Sequence, residues 1–256
     1  MTTDRDGDDV LPSPGKPPHP RECPRSPIRR GGSRIRIPKP QIPPVEPYGT
    51  EVHVRRPDPA QPVRVVGPSP RPLLTPLPRS SKTVFRGKLL QVQVDRVRVG
   101  GHTLEREVVH HPGAVAVVAI TPAREVVLVR QYRHAVRAWL WEIPAGTLEP
   151  GEQPLVAARR ELEEETGYRA ENWVKLAEVY TTPGFCTEKM VLYLARNLTE
   201  GTVCPEEDED LQVSKVPWEE ALEGIRQGRF RDAKTILGLV LARSYLDGDI
   251  PPAEGA

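Results

Sequence analysis

The sequence predicts an α/β sandwich in which a mixed sheet lies between helices and follows a small antiparallel β unit. Three observations support this class: an early stretch of alternating, Val-rich segments, short continuous apolar runs of strand length in the middle, and helical spacing near the end. The span 81–248 is long enough to enclose one hydrophobic core.

The elements follow in order along this span. Two early strands are expected at 84–99 and 103–110, joined by a turn at Gly100. The apolar runs predict buried strands at 114–120 and 125–132, with a turn between them, and further strands at 140–144, 173–180 and 190–195. Helical spacing predicts helices at 217–227 and 232–245.

The first 80 residues differ from the rest in composition. They hold 20 of the 30 prolines and 14 Lys/Arg against 8 Asp/Glu, whereas 81–256 holds 22 Lys/Arg against 27 Asp/Glu. Proline lacks the backbone donor and blocks helices, so this stretch favours polyproline II without a packed core. We therefore expect a disordered Pro/Arg-rich extension at 1–80, a folded domain at 81–248 and a flexible C-terminus at 249–256.

Two alternatives to a merely flexible extension stay open. Spacings such as Pro14 to Pro17 fit the Pro-x-x-Pro pattern that proline-recognising modules bind. Translation could instead begin downstream at an alternative codon, for instance at Val84, because no methionine occurs between Met1 and Met190. The basic excess is not interleaved with aromatic residues and therefore gives little support to a nucleic-acid or membrane partner.

Localisation is expected to be cytoplasmic. No apolar run reaches the roughly 20 residues that span a bilayer, and the acidic, polar N-terminus does not resemble a secretory signal. The three cysteines, Cys23, Cys186 and Cys204, show no metal-binding spacing and suit a reducing compartment.

The most informative stretch runs from Gly146 to Tyr168, G-T-L-E-P-G-E-Q-P-L-V-A-A-R-R-E-L-E-E-E-T-G-Y. Glu161, Glu164 and Glu165 are three and four residues apart, on one face of a predicted helix, where their charges repel one another. A hard divalent cation such as Mg²⁺ or Mn²⁺ would neutralise such a cluster. A solvated acidic helix face is the simpler alternative, but it leaves the register of the surrounding Gly, Glu and Arg residues unexplained.

The flanking residues have physical roles of their own. Gly146 is expected to allow a tight turn between strand and helix. Pro154 suits the first position of the helix and Gly167 the position just past its end. Arg160 offers a planar, permanently charged fork that can hold a carboxylate in orientation.

This stretch resembles the signature of the Nudix hydrolases: Gly, five residues, Glu, seven residues, then Arg-Glu-apolar-any-Glu-Glu-any-Gly-apolar. Only Tyr168, at the last apolar position, departs from it. The resemblance implies an α/β/α sandwich and a Mg²⁺-dependent enzyme, with Mn²⁺ as a substitute, that hydrolyses nucleoside diphosphates linked to another group.

From about residue 83 to 246 the chain is similar to the ADP-ribose pyrophosphatase branch of that family. The matching segments are V-F-R-G-K, R-E-V-V-H-H-P-G-A-V, V-R-Q-Y-R, W-E-I-P-A-G, T-T-P-G-F-C-T-E, E-E-D-E-D-L-Q-V and D-A-K-T. Pro183, fifteen residues beyond Tyr168, matches the proline that marks the branch. This implies hydrolysis of ADP-ribose to AMP and ribose 5-phosphate.

The resemblance also implies roles for individual residues. Metal ligands would be Glu161, Glu165, the carbonyl of Ala145 and, as ligand or supporting acid, Glu164. Glu207 and Glu209 are candidates for water activation and a further metal contact, with a solvated acidic turn as the alternative. Glu152 would orient the catalytic arrangement through Arg160.

Substrate contacts are implied at a second set of positions. Arg106 and Arg133 match cationic contacts, with surface arginines as the alternative, and Glu142 and Glu188 match the end that binds the terminal ribose. Pro183 belongs to the same substrate-binding group. Three aromatic residues could stack on adenine, although aromatic residues in strands more often belong to the core: Phe85, Trp139 and Trp141. His110 and His111 show no ligand spacing and are interpreted as structural.

The branch is commonly homodimeric through the N-terminal strands, so strands within 84–110 are expected to pair subunits. Three alternatives to an ADP-ribose hydrolase stay open. They are a pyrophosphatase for another nucleoside diphosphate sugar such as GDP-mannose, a catalytically silent ADP-ribose sensor, and a proline-rich interaction protein with an incidental Nudix domain. The stretch Gly146–Tyr168 is called the Nudix box below. All three of its clustered glutamates, Glu161, Glu164 and Glu165, are present, which argues against the sensor.

Overall fold

The computed structural model describes residues 77–99, 101–201 and 211–253, so the expectation for residues 1–76 lies outside the described part of the chain. The strands are β1 (Pro78–Arg86), β2 (Gln91–Val99), β3 (His102–His110), β4 (Ala114–Ile120), β5 (Glu125–Arg133), β6 (Ala138–Glu142), β7 (Ala145–Thr147), β8 (Tyr168–Tyr180), β9 (Lys189–Glu200) and β10 (Gln212–Pro217). The helices are α1 (Pro154–Thr166), α2 (Trp218–Arg226) and α3 (Ala233–Leu246).

The strands form two sheets. β1, β2 and β3 make an antiparallel three-stranded sheet in that order. The larger, seven-stranded sheet runs β10-β5-β4-β9-β8, with β6 paired to β5 and β7 paired to β4. β4 and β9 are parallel and the other pairings are antiparallel. The predicted mixed sheet and small antiparallel unit are therefore confirmed.

The core lies on both faces of the larger sheet because β4, at its centre, is buried along its whole length. Its even-numbered residues pack with α2 and α3, and its odd-numbered residues pack with α1. Alternate side chains of a strand point to opposite faces, so one apolar run supplies both layers. The result is the predicted sandwich, with α1 on one side and α2 and α3 on the other.

Helix α1 has the predicted ends. Pro154 occupies the first turn, where a missing backbone N–H costs nothing, and Gly167 ends the helix with a left-handed φ of 71°. The Gly167 N–H donates to the Glu163 carbonyl at 2.8 Å, which satisfies one of the terminal carbonyls. The sequence therefore fixes where the glutamate-bearing helix starts and stops.

The N-terminus of α3 is tied to the chain segment that precedes β7. The Asp232 carboxylate accepts from the Thr235 N–H at 3.0 Å and from the Thr235 hydroxyl at 2.6 Å. The same hydroxyl accepts from the backbone N–H of Ile143 at 3.0 Å, and both Ile143 and Thr235 are fully buried. Two segments that are far apart in sequence are thereby held together.

We expect Thr235→Val to lower the free energy of unfolding by about 1–3 kcal/mol, because the buried Ile143 N–H loses its acceptor while the side-chain volume is kept. Urea denaturation measures this. Thr199→Val, on the exposed face of β9, serves as the control and should change stability by less than about 0.5 kcal/mol. Equal stabilities for the two variants would contradict the assigned role of Thr235.

Two sequence expectations need correction, and two strands were missed. The single strand at 84–99 is two strands, because the Gly87 N–H donates to the Leu90 carbonyl at 2.8 Å and closes a turn between β1 and β2. Strands β7 and β10 were not predicted. Gly146 lies within β7, paired with Val115, and is not a turn residue.

The domain limits remain a proposal. β1 begins at Pro78, three residues before the expected start at 81. Near the other end, the Ala253 N–H donates to the Lys175 carbonyl of β8 at 3.0 Å. Among the described residues, no helix is both long enough and apolar enough to cross a membrane.

Candidate active site

Arg160, on α1, binds several carboxylates at once. Its Nε and Nη2 donate to the two oxygens of Glu152 at 3.0 and 3.1 Å. Its Nη1 donates to Glu161 at 2.7 Å and to Glu164 at 3.0 Å, and Nη2 also reaches the Thr147 carbonyl at 3.3 Å. One guanidinium thus holds three carboxylates together, which only a planar fork with several donors can do.

Partial burial and the ion pairs together set the pKa values of Arg160 and Glu152. Burial lowers the pKa of Arg160, but its bonds with Glu152, Glu161 and Glu164 outweigh that effect and raise the pKa above its ordinary value. The bond from Arg160 lowers the pKa of Glu152, against the opposing effect of burial. This pair stabilises the fold above the pKa of an unfolded glutamate, and the contribution is lost as pH falls through the lowered folded pKa.

Two glutamates of the cluster helix converge on β7. The Glu165 carboxylate is 2% exposed and accepts from the Ala145 N–H at 3.0 Å. A Cβ on Gly146 would lie 2.0 Å from the Glu161 carboxyl carbon, so the Glu161 carboxylate occupies the space that any other side chain would need. Gly146 therefore lies directly against the Glu161 carboxylate, within a strand and not in a turn, and an added Cβ would force that carboxylate to move.

The donors at this site fit the hard divalent cation that the sequence implies. Three carboxylates bind one guanidinium, and a fourth on the same helix, Glu165, contacts the β7 backbone. Carboxylate oxygens are the ligands that Mg²⁺ and Mn²⁺ prefer. Within the described residues, however, no three His, Cys, Asp or Glu side chains are already arranged around one metal position. Arg160, in this conformation, neutralises the oxygens that a cation would share.

A second charged cluster spans the antiparallel β5–β6 pair, in which Arg133 is the last residue of β5 and Glu142 the last residue of β6. Glu142 is 1% exposed, and both its oxygens accept from Arg133, from Nε at 2.8 Å and from Nη2 at 2.6 Å. The Lys234 ammonium donates to the same carboxylate from α3. Burial raises the pKa of Glu142, but Arg133 and Lys234 outweigh it and hold the pKa below its usual range.

The pKa of Arg133 reflects its carboxylate surroundings. Its hydrogen bonds with Glu142 raise its pKa against the effect of burial, and the charges of Glu142, Glu165 and Asp232 raise it further. The Arg133 side chain is 38% exposed, so part of the guanidinium faces solvent. The cation expected to meet the substrate is therefore fixed by Glu142 and still accessible.

The segment 181–188, which carries Pro183 and Glu188, is bound to the end of β3. The Val109 N–H donates to the Phe185 carbonyl at 2.7 Å, and the Thr187 N–H donates back to the Val109 carbonyl at 2.9 Å. Glu188 accepts from the Thr181 hydroxyl and lies 3.8 Å from His111 Nε2. Pro183 is exposed in the turn of this segment.

Of the remaining candidates, one arginine and three aromatic residues are described by the structure, and two glutamates are not. Arg106 is exposed on β3 of the small sheet. Phe85 and Trp139 are 58% and 42% exposed and thus not core residues, whereas Trp141 packs against the core. Trp139 lies beside Tyr132, with ring centroids 5.7 Å apart.

Glu207 and Glu209 fall within 202–210, which the structure does not describe.

The sequence analysis assigned no role to Lys234, Asp232 or Thr235, although all three lie in the family-matching segment D-A-K-T. The signal for Thr235 was the N-cap pattern of Asp232 three residues earlier. Contact between Lys234 and Glu142, 92 residues apart, left no local signal.

Comparison with known proteins identifies related chains. The NUDIX domain matches residues 110–237. The chain is 43% identical over 162 residues to the methanol dehydrogenase activator of Bacillus methanolicus, covering 62% of this chain and 88% of that protein. It is 41% identical over 159 residues to the ADP-ribose pyrophosphatase of Bacillus subtilis, covering 61% and 86%. It is also 38% identical over 165 residues to the GDP-mannose pyrophosphatase of Cronobacter sakazakii, covering 58% and 84%.

Among solved structures, one titled as the crystal structure of an ADP compounds hydrolase superposes with a TM-score of 0.63. Its sequence is 25% identical, and the match covers 70% of this chain and 98% of that one. The similarity therefore extends over nearly the whole of that protein.

Proposed function

The chain belongs to the NUDIX family of hydrolases, and we propose that it hydrolyses the diphosphate bond of ADP-ribose to AMP and ribose 5-phosphate in a Mg²⁺-dependent reaction. The observation that carries this proposal is the cluster of Glu152, Glu161 and Glu164 on Arg160, next to the buried Glu165. Such an arrangement is suited to a reaction in which positioning and charge neutralisation provide most of the catalysis.

The reaction needs little covalent chemistry from the protein. The oxygen of a water molecule forms a bond to one phosphorus of the diphosphate, and the bond from that phosphorus to the bridging oxygen breaks. The electron pair leaves with the other phosphate, which gives AMP and ribose 5-phosphate. A carboxylate takes the proton of the water, and Glu164, Glu207 and Glu209 are the candidates.

Within the chain, Arg160 fixes the orientation of the box carboxylates, and the β7 backbone fixes Glu165. Glu161, Glu165, Glu164 and the carbonyl of Ala145 are the groups that would hold Mg²⁺, or Mn²⁺ in its place. When bound, the cation would neutralise the charge on the phosphoryl oxygens. Gly146 keeps the strand open to the Glu161 carboxylate.

Substrate binding is assigned to groups around the cluster. Arg133, held by Glu142, would contact a phosphate oxygen, and Arg106 would supply a further cationic contact. Glu142 and Glu188 would lie toward the terminal ribose, with Pro183 in the turn of the segment that carries Glu188. The Arg133 guanidinium is held by Glu142 and yet 38% exposed, which supports its part of this assignment.

We expect Arg133→Ala to raise KM for ADP-ribose about tenfold with a smaller effect on kcat, because a cationic contact is lost in the ground state and the transition state alike. Steady-state kinetics with the purified chain measures this. Arg124→Ala, at an exposed turn where Arg124 pairs with the exposed Glu219 of α2, is the control and should leave both constants unchanged. A fall in kcat at constant KM would place Arg133 in the transition state only.

The experiment that tests the function compares substrates. Phosphate release, coupled to alkaline phosphatase, is measured with Mg²⁺ across ADP-ribose, GDP-mannose, NADH and diadenosine polyphosphates. Preference for ADP-ribose in kcat/KM supports the proposal. Preference for GDP-mannose, which the Cronobacter sakazakii relative is named for, would keep the chemistry and change the substrate. Binding of ADP-ribose without turnover of any compound would point to a sensor.

The chain is proposed to work as a cytoplasmic homodimer that pairs through the small sheet. All nine residues of β1 are exposed, including the apolar Val84 and Phe85. β1 is also an edge strand of the small sheet, and its unpaired backbone groups would be satisfied if a second copy paired with it. The domain limits proposed are an extension at 1–80, the hydrolase domain at 81–248 and a C-terminal segment at 249–256.

A further inference from the structure

Lys234 lies in a polar contact that the proposed reaction does not yet use. Its ammonium donates to Glu142 and lies 3.1 Å from Asp232 Oδ1, while its side chain is only 12% exposed. Asp232 is itself fixed because its other oxygen caps α3 through Thr235. Lys234 is thus held between two carboxylates at the start of a helix packed against the main sheet.

Glu142 is the group that Lys234 acts on. A carboxylate buried to this extent stays charged only if cations and hydrogen bonds replace its water, and here two cations do so. Arg133 uses Nε and Nη2 for this contact, and Lys234 shares the oxygen that Nη2 binds. The carboxylate therefore sets the plane of the Arg133 guanidinium and leaves Nη1 outside the pair.

We propose that Lys234 is a positioning residue for substrate binding: it holds Glu142 in the orientation that fixes the guanidinium of Arg133, the last residue of β5. The inference rests on the proposed function, since it takes Arg133 as the contact to a substrate phosphate. It adds a residue of α3, outside the glutamate-bearing segment, to the groups that determine substrate affinity. A purely architectural role, joining α3 to β6, is the alternative that the test must exclude.

A double-mutant cycle separates the two roles. Lys234→Met removes the charge and keeps the length, and we expect KM for ADP-ribose to rise about tenfold with kcat within about threefold. In the Arg133→Ala background the same substitution should change KM less than about twofold, because its effect passes through Arg133. Full additivity of the two substitutions, or a wild-type KM for Lys234→Met, would overturn the proposal.

A second variant covers the case in which Lys234→Met fails to fold. The double variant Glu142→Gln with Lys234→Met removes both buried charges, so it should recover the melting temperature. It should still show the raised KM, because a neutral amide cannot accept the paired bonds that orient the guanidinium. Recovery of both the melting temperature and KM would show a purely architectural role. Lys215→Met is the matched control, because Lys215 is exposed on β10, and it should leave KM unchanged.

The same double-mutant cycle is then measured in the Kd for ADP-ribose, by calorimetry in EDTA, because removal of Mg²⁺ is expected to prevent hydrolysis during the measurement. Coupling between Lys234 and Arg133 in Kd would support the inference even if the chain hydrolyses another compound. Tight binding with additive effects would overturn the inference and leave the proposed function standing. A wild-type chain that neither binds nor cleaves ADP-ribose would overturn both.

Discussion

Replacing Glu165 by Gln is expected to lower kcat by about a hundredfold or more, the scale on which one charge-stabilising group acts in an enzyme. The carboxylate is buried on α1 and accepts from the Ala145 N–H. A glutamine keeps an oxygen for that hydrogen bond but loses the negative charge that a divalent cation needs. The melting temperature should therefore change little while turnover nearly disappears.

The matched control is Glu163→Gln on the same helix. Glu163 pairs with the exposed Arg169, away from β7, so the same chemical change there should leave kcat within about twofold. Steady-state rates with ADP-ribose and saturating Mg²⁺ give the comparison. A folded Glu165→Gln enzyme with near wild-type kcat would remove Glu165 from the site.

Replacing Arg160 by Lys is expected to lower both stability and activity although the charge is kept. A single ammonium cannot reproduce the paired bonds to Glu152 together with those to Glu161, Glu164 and the Thr147 carbonyl. We expect a loss of about 1–3 kcal/mol in the free energy of unfolding, from carboxylates left without their donors. Turnover should fall about tenfold or more because the carboxylates lose their fixed orientation.

Arg159→Lys is the control for that substitution. Arg159 is the neighbouring residue, exposed and placed over the Trp173 ring, so its replacement should affect stability by less than about 0.5 kcal/mol and leave turnover unchanged. Urea denaturation and initial rates are measured on both variants. If the two substitutions behave alike, Arg160 does not organise the cluster.

The elements that the sequence predicted well are those whose signals are local. The limits of α1 follow from Pro154 and Gly167, and the central strand β4 is one uninterrupted apolar run. The facing of Glu161 and Glu165 follows from their spacing of four residues. The helix of this region could therefore be derived from the sequence, whereas the strand β7 before it could not.

The features that the sequence did not reveal depend on contacts between distant segments. Gly146 lies directly against the carboxylate of Glu161, a residue of the helix that begins eight residues later. The contact of Lys234 with Glu142 joins residues 92 positions apart. Periodicity along one segment carries no information about which other segment packs against it. The break between β1 and β2 was missed for a different reason, since alternation continues on both sides of a short turn.

The measurement that tests the central claim most directly is product analysis of ADP-ribose incubated with the purified chain in ¹⁸O-labelled water, with Mg²⁺ and with EDTA. The account predicts AMP and ribose 5-phosphate in equal amounts, one ¹⁸O atom on the phosphate of one product, and no reaction in EDTA. Intact ADP-ribose under all metal conditions, or products formed without cleavage of the diphosphate, would contradict it.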